Sequence, residues 1–333
     1  MIPPQTRGQR GNGSAALGGT HPAGRSLSSR WTTEWRQLKK NAELILLLLP
    51  GALYTLVFHY LPLVGIIIAF KSYRYDLGIF GSEWVGLKNF EFFFASETAW
   101  RITRNTILYN AGFIVFTTAT ALAFAIMLNE IGRRWVKAYQ TVLFLPHFLS
   151  WVVVGYIVLA FLDHESGYLN RLLMLVGMNP QNWFYESSFW PYILNTTNLW
   201  KTVGFATLIY YAGIIGINSE YYEAARIDGA SKLQMIRRIT IPLLTPLIAI
   251  LFILAVGNMF RGDFGLHYFV PNNSGLIYST TDVVDTYVYR ALRTLGDVSM
   301  AAAVSFFQSI VGFVLVLGAN TIIKKINEEN ALW

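Results

Sequence analysis

The residue types that carry chemistry gather at three places in this sequence. Gly19-Thr-His-Pro-Ala-Gly24-Arg25-Ser26 has the outline of a phosphate-binding loop. Asp163-His164-Glu165 joins three side chains able to hold a hard or borderline cation. Segment 218–242 sets Glu220, Glu223, Arg226 and Asp228 around Gly229. The first lacks its frame. A phosphate loop needs a strand-to-helix turn that aims N–H groups at the anion and a Lys after the second Gly, whereas Arg25 stands in a Gly/Ser/Pro-rich stretch. The second lacks a partner, because an H-E-x-x-H helix needs its second His at position 168, which is Tyr168. The five histidines, 21, 59, 147, 164 and 267, keep no metal-ligand spacing, and His147 in Leu145-Pro-His-Phe148 reads as a hydrogen-bonded structural residue. No nucleophile–base arrangement is legible either. The chain is expected to carry no catalytic residue, no metal and no cofactor of its own, so any ATP hydrolysis belongs to another chain.

The third place reads as a folded loop. Asn218 or Ser219 caps a short helix, and Glu220 in its first turn suits the helix dipole. Gly229 supplies a break, since it enters conformations closed to other residues. Ser231-Lys-Leu-Gln234 is a capping box for a second helix, and Pro242 fits the opening of the apolar run that follows. Adjacent Ala224 and Ala225 permit close approach by a partner, and Glu223 offers it a charge.

The elements that hold this loop are set by composition. Apolar residues make up 54% of the 333 positions and charged residues 14%, against roughly 25% charged in soluble domains. Mean hydropathy is +0.41. Too few charges remain to coat a water-exposed globule, so the bilayer is the expected solvent. The absence of cysteine removes disulfides, iron–sulfur clusters and thiolate zinc sites. The net charge of +7 reads as membrane topology and not as a nucleic-acid footprint.

A helix needs about 20 mostly apolar residues to cross roughly 30 Å of hydrocarbon. Uncharged runs at 44–70, 107–128, 141–162, 241–260 and 300–323 meet this, and 189–217 is a sixth interrupted only by Lys201, with a polar, wet outer half at Asn195 to Asn198. With both termini in the cytoplasm, inside segments hold 16 basic residues and outside segments 9, which favours that orientation. Residues 1–40, rich in Gly, Ser, Pro and Arg, are expected to be a disordered cytoplasmic tail and not a signal peptide. The six-span membrane body is 41–323, and 324–333 is a short cytoplasmic tail. Outside, 168–176 is expected to form a short amphipathic helix, and Trp84, Trp100, Trp183 and Trp190 are expected to anchor at the membrane interface.

Glu223-Ala224-Ala225, Gly229, Ile239 and Ile241-Pro242 reproduce the pattern E-A-A-x3-G-x9-I-x-[LI]-P. This resembles the signature loop of binding-protein-dependent ABC importer permeases. Over residues 38–333, Leu145-Pro-His-Phe-Leu-Ser-Trp151, Asp282-Val-Val-Asp285 and Leu332-Trp333 look like the polysaccharide branch of sugar permeases, alginate importers included. The resemblance implies an all-α integral membrane protein with six transmembrane helices and type I importer architecture, in the bacterial cytoplasmic membrane. It implies that Glu223, Ala224, Ala225, Arg226, Asp228 and Gly229 dock a cytosolic ATPase. Its further implied partners are a second homologous permease, two ATP-binding subunits holding ATP and magnesium, and an extracytoplasmic sugar-binding protein, besides membrane lipid. A homodimer is the other arrangement open to a six-span bundle.

Polar groups inside spans are candidates for a sugar path: Asn195, Asn198, Trp200, Lys201, Asn258 and Gln308, with Arg261 just beyond the fifth span. An intramembrane Lys costs on the order of 2.5–3.5 kcal/mol and faces a bundle interior or a cavity, unless it snorkels to the headgroups. Lys201 and Arg261 would attract a carboxylate-bearing sugar, Arg by bidentate contact, although Arg261 has Asp263 nearby as an alternative partner. An ion-coupled secondary transporter or channel is the competing class, and a membrane-embedded enzyme a third. The docking loop and the acid-free spans argue against both.

Overall fold

The computed structural model describes residues 40–91 and 96–332. The tail expected over 1–40 lies outside the described residues except for Lys40. Among the described residues, four helices are long and apolar enough to cross a membrane: Ala42–Phe70, Glu97–Glu130, Lys232–Gly257 and Val298–Ile326. The number rises to six when two bent pairs each count as one span, Arg134–Phe148 with Trp151–Leu162 and Ser187–Ile215 with Ser219–Ile227.

The chain divides into two units at Val64 and Gly65. In the first, Ala42–Thr55 is α-helical with Pro50 inside it, and the helical run passes into a π turn at Leu56–Tyr60. In the second, the bundle is organised on helix α1 (Glu97–Glu130) and helix α2 (Trp190–Ile215). The Ser96 hydroxyl caps α1 by accepting from the Ala99 N–H at 3.3 Å. Its 34 residues extend about 51 Å at 1.5 Å per residue, more than the membrane core requires. Ala121, Ala125 and Leu128 fall at helical spacing on its buried face. The two alanines let Val203, Tyr210 and Ile214 of α2 pack close, and Leu244 completes the cluster.

The expected straight span at 141–162 is broken. Arg133–Phe144 continues as a 3-10 turn through Phe148, and after Leu149 a new helix, Trp151–Leu162, leaves at 98°. Pro146 has no N–H to continue the ladder, and the Ser150 hydroxyl starts the second helix by accepting from the Val153 N–H at 3.3 Å. The polar run in α2, expected to be wet, is so only in part: Thr196 is exposed and Asn195 half-buried, whereas Thr197, Asn198 and the following Lys201 are packed in protein.

At the end of the bundle opposite the 218–242 loop, short helices Phe264–Phe269, Tyr278–Thr281 and Val284–Leu295 form a cap tied to α1. Asn105 Nδ2 donates to the carbonyls of Ser279 and Asp282 at 3.1 and 3.0 Å, and the Tyr109 hydroxyl donates to that of Thr280 at 2.9 Å. Arg290 pairs with buried Asp282 at 2.6 Å and lies 4.0 Å over the Tyr278 ring. Helix Tyr168–Leu175 forms as expected and is held by Asn170, whose side chain bonds both the Gln181 backbone and the Trp183 indole.

The tryptophans split. Trp84 and Trp100 are exposed, as interface anchors would be. Trp190 is fully buried and donates to the Trp183 carbonyl at 2.8 Å, while the Trp183 indole donates to Asn170 at 3.0 Å, so these two are structural. Span-end position does not distinguish an indole that meets lipid from one whose N–H has a protein acceptor.

His267 sits inside the cap with its Nδ1 3.1 Å from the Thr281 carbonyl, and desolvation pushes its pKa down to about 4. An unfolded histidine titrates near 6.5. Between those values the unfolded chain binds the extra proton, so the stability contributed by neutral His267 is whole above pH 6.5 and is lost as pH falls toward 4. The thermal midpoint in detergent should drop across that window, and His267→Phe should flatten the drop; an unchanged pH profile would show that His267 does not carry it.

Candidate functional site

The 218–242 loop is rigid through its backbone. Asn218 Oδ1 accepts from the Glu220 N–H at 3.1 Å and opens helix α3 (Ser219–Ile227). Gly229 takes φ +76°, and the bonds Ala230 N–H to Ala225 O (2.9 Å) and Gly229 N–H to Arg226 O (3.1 Å) close α3 as a Schellman motif. Ser231 and Gln234 then form the capping box, with the Ser231 N–H donating to Gln234 Oε1 at 2.7 Å. The helix so started is α4 (Lys232–Gly257), interrupted by a π turn at Ile236–Thr240.

This framework holds Glu223, Ala224, Arg226, Asp228 and Gly229 exposed and Ala225 half-buried. Two exposed apolar residues of α3 were not singled out from the sequence: Tyr221, and Ile227 at 87% exposure. A generic amphipathic helix would turn such residues inward, so their exposure is visible only once the packing is known. Beneath α3 lies a cleft of about 990 Å³, lined by Tyr222, Glu223, Arg226, Lys232, Glu130 and Thr240 among others. Lys232 pairs with Glu130 at the end of α1. The Tyr222 hydroxyl and Thr240 Oγ1 are 2.9 Å apart.

The polar span residues fall into two groups. On α2, Lys201 is 9% exposed, donates from Nζ to the His147 carbonyl at 3.0 Å and sits 5.0 Å from the Trp151 ring centre. It satisfies the carbonyl left open where the helix ends at Phe148, before Trp151 starts the next one, and does not snorkel. Asn198 is buried, Asn195 donates to the Pro191 carbonyl at 2.7 Å, and Trp200 is exposed. His147, expected to be a hydrogen-bonded structural residue, packs its ring against Phe144 and Phe205 at 5.4 and 4.8 Å with Nδ1 unpartnered, and its hydrogen bond is made by its backbone carbonyl. Phe148 beside it is 73% exposed.

The second group joins α4 to helix α5 (Val298–Ile326). Gln308 donates to the Phe260 carbonyl at 2.8 Å and to Asp285 Oδ2 at 3.1 Å, and the Gly262 N–H donates to the same oxygen at 2.6 Å. Burial raises the Asp285 pKa above the usual carboxylate value, against these donors and the nearby Arg261. Arg261 is exposed and reaches Ser309 at 3.3 Å; exposed Asn258 donates to the Leu254 carbonyl at 3.0 Å. Asp263 caps the next helix through the Leu266 N–H at 3.2 Å. The sequence offered no sign of Asp285 as the hub of this group, because it lies 23 residues from both Gly262 and Gln308.

A bundle of apolar helices with a rigid, exposed short helix at one end is the architecture of a type I importer permease, a transport subunit embedded in the membrane. The chain belongs to the family of binding-protein-dependent transport system inner membrane components, whose pattern it matches over residues 114–327. It is 36% identical over 293 residues to protein LplB of Bacillus subtilis strain 168, covering 88% of this chain and 92% of that one. It is 37% identical over 296 residues to the polygalacturonan/rhamnogalacturonan transport system permease protein YteP of the same organism, covering 88% and 91%. The crystal structure of a bacterial ABC transporter involved in import of the acidic polysaccharide alginate contains a chain that superposes with TM-score 0.80 at 32% identity, over 89% of this chain and 99% of that one. A structure of the bacterial alginate ABC transporter with an alginate pentasaccharide-bound periplasmic protein gives TM-score 0.79 at 32% identity, over 88% and 97%.

Proposed function

We propose that this chain is the translocation subunit of an ATP-driven importer of oligosaccharides, acidic ones such as alginate among them. The observation that carries the reading is α3: a short helix closed by a Schellman motif at one end and capped at the other, with Glu223 and Ala224 facing outward. Such a helix is a rigid plug for a partner's cleft. In this reading a cytosolic ATPase receives Glu223, Ala224, Ala225, Arg226, Asp228 and Gly229, and ATP and magnesium are held on two such subunits. A second homologous permease completes the passage, and an extracytoplasmic sugar-binding protein delivers the cargo. The chain lies in the bacterial cytoplasmic membrane with both termini and the 218–242 loop in the cytoplasm; residues 1–40 and 324–333 are its tails.

Closure of the ATPase pair moves α3, and α3 moves the span that follows it, so the passage opens alternately to the two sides. The sugar path runs past Asn195 and Trp200 on α2 and past Asn258 and Arg261 at the junction of α4 and α5, while buried Asn198, Lys201 and Gln308 shape its wall from within the protein. Homologues named for polygalacturonan and alginate, both chains of uronates, support an acidic cargo. Lys201 already has the His147 carbonyl and the Trp151 face as partners, so of these two cations it is exposed Arg261, held by the Ser309 hydroxyl at 3.3 Å, that is placed to meet a carboxylate. Arg261→Gln should lower uptake of acidic oligosaccharides about fivefold relative to neutral ones of equal length, a charge-assisted bond discounted for solvent. Unchanged selectivity would remove Arg261 from the path.

The reading is tested by reconstituting the chain in liposomes with candidate ATPases, a second permease and a binding protein. Uptake should require ATP hydrolysis. Uptake driven by an ion gradient alone would replace this reading with that of a secondary transporter.

A further inference from the structure

The covalent link from α3 to the following span passes through Asp228–Gly229–Ala230–Ser231, where the chain turns at φ +76°. One side-chain bond crosses this turn directly, the 2.9 Å contact of the Tyr222 hydroxyl with Thr240 Oγ1, spanning 18 residues. We propose that Tyr222 is a positioning residue, a strut that passes displacement of the docking helix to Thr240 and so into the membrane span. This deepens the docking function proposed above and rests on it.

Thr240 differs from several helical threonines of this chain. Thr202, Thr207, Thr245 and Thr321 each turn their hydroxyl back onto the carbonyl four residues earlier. That is the default for a threonine inside a helix, where no other acceptor is near. The hydroxyl of Thr240 instead meets Tyr222, on a side chain only 4% exposed. A buried hydroxyl with a single cross-element partner specifies geometry, because losing that partner leaves a desolvated polar atom.

Thr240 is also the last residue of the π turn Ile236–Thr240, and Pro242 follows two positions later. A π turn carries one residue more than the helix around it needs, and Pro242 cannot donate to the ladder. The helix is softest where the strut meets it. A push on α3 is therefore delivered to the turn most able to change its winding, and the cleft beside Tyr222 and Glu223 gives α3 room to tilt. Tyrosine suits the task because its ring makes a stiff arm with two rotatable bonds.

Tyr222→Phe removes the hydroxyl and little else, and Thr240→Val removes the partner at equal volume. Each variant would be purified as the complete importer, reconstituted in liposomes, and assayed for retained ATPase, sugar-stimulated hydrolysis, and sugar moved per ATP hydrolysed. Retention should match wild type, while sugar moved per ATP should fall about fivefold, the equivalent of one ordinary hydrogen bond. Thr240→Ser, which keeps a hydroxyl, should restore the ratio, and the double variant should be no worse than either single one. An unchanged ratio in both single variants overturns the strut, as does loss of ATPase retention, which would make Tyr222 an assembly residue. If wild-type protein itself retains no ATPase, the docking function fails and the strut with it, so the two failures are told apart.

Discussion

Glu223→Lys should leave a folded bundle that no longer retains its ATPase. Glu223 is exposed and has no hydrogen bond or ion pair among the described residues, so the chain's own stability loses nothing with it. A partner cleft shaped for an acid would meet a like charge instead. Reversals at such desolvated contacts weaken binding about a hundredfold. Retention should fall on that scale and uptake with it, while the thermal midpoint in detergent stays within a degree or two of wild type, as expected for an exposed substitution. Gly229 supplies the companion test. No atom lies near its missing Cβ, so Gly229→Val acts only through the φ of +76°, a strain of about 1–2 kcal/mol. Gly229→Asn, which tolerates left-handed backbone, should retain the ATPase where Gly229→Val does not. Normal retention and uptake in Glu223→Lys would sink the docking assignment.

The second large effect is expected deep in the bundle. A Cβ added at Gly204 would lie 1.9 Å from the Leu143 carbonyl oxygen and 2.4 Å from its carbon. Both are backbone atoms of the helix arriving at the Pro146 break, and they cannot swing aside. Gly204→Val must therefore separate that helix from α2, pulling the His147 carbonyl away from Lys201 and leaving the cation buried without its acceptor. A loss of about 3 kcal/mol or more follows from overpacking with an orphaned charge. Little monodisperse protein should emerge from size exclusion. Gly318 is the control, because its missing Cβ has open space and φ is not positive; Gly318→Ala should be neutral or stabilise slightly through lower backbone entropy. Wild-type melting in Gly204→Val would show that the two helices do not touch at this point.

The elements legible in the sequence are those specified by neighbours in the chain. The 218–242 loop is the fullest example: Asn218, Gly229 and the Ser231–Gln234 box act within five residues of themselves, and each acts as its residue type predicts. Long apolar runs likewise announce spans, because a bilayer imposes a minimum length. Their shape is less legible. Pro146 and Ser150 were visible inside the 141–162 run, yet the 98° turn is also held by Lys201, 54 residues beyond His147, which reaches the carbonyl that the break exposes.

What only the tertiary structure decided is which polar side chains are spent on the protein itself. From sequence, Lys201 and Gln308 are free groups in apolar surroundings and therefore candidates for a path. In the folded chain Lys201 is committed to the helix break and Gln308 to Phe260 and Asp285, while Arg261 stays exposed. The same holds for Trp190, for His147 and for Tyr222, whose partner is 18 residues away. Hydrogen bonds and stacking act over about 3 to 6 Å of space whatever the distance along the chain. Residue type and local spacing therefore determined the membrane class and the folded 218–242 loop, and long-range packing alone determined which charges and hydroxyls remain available for function.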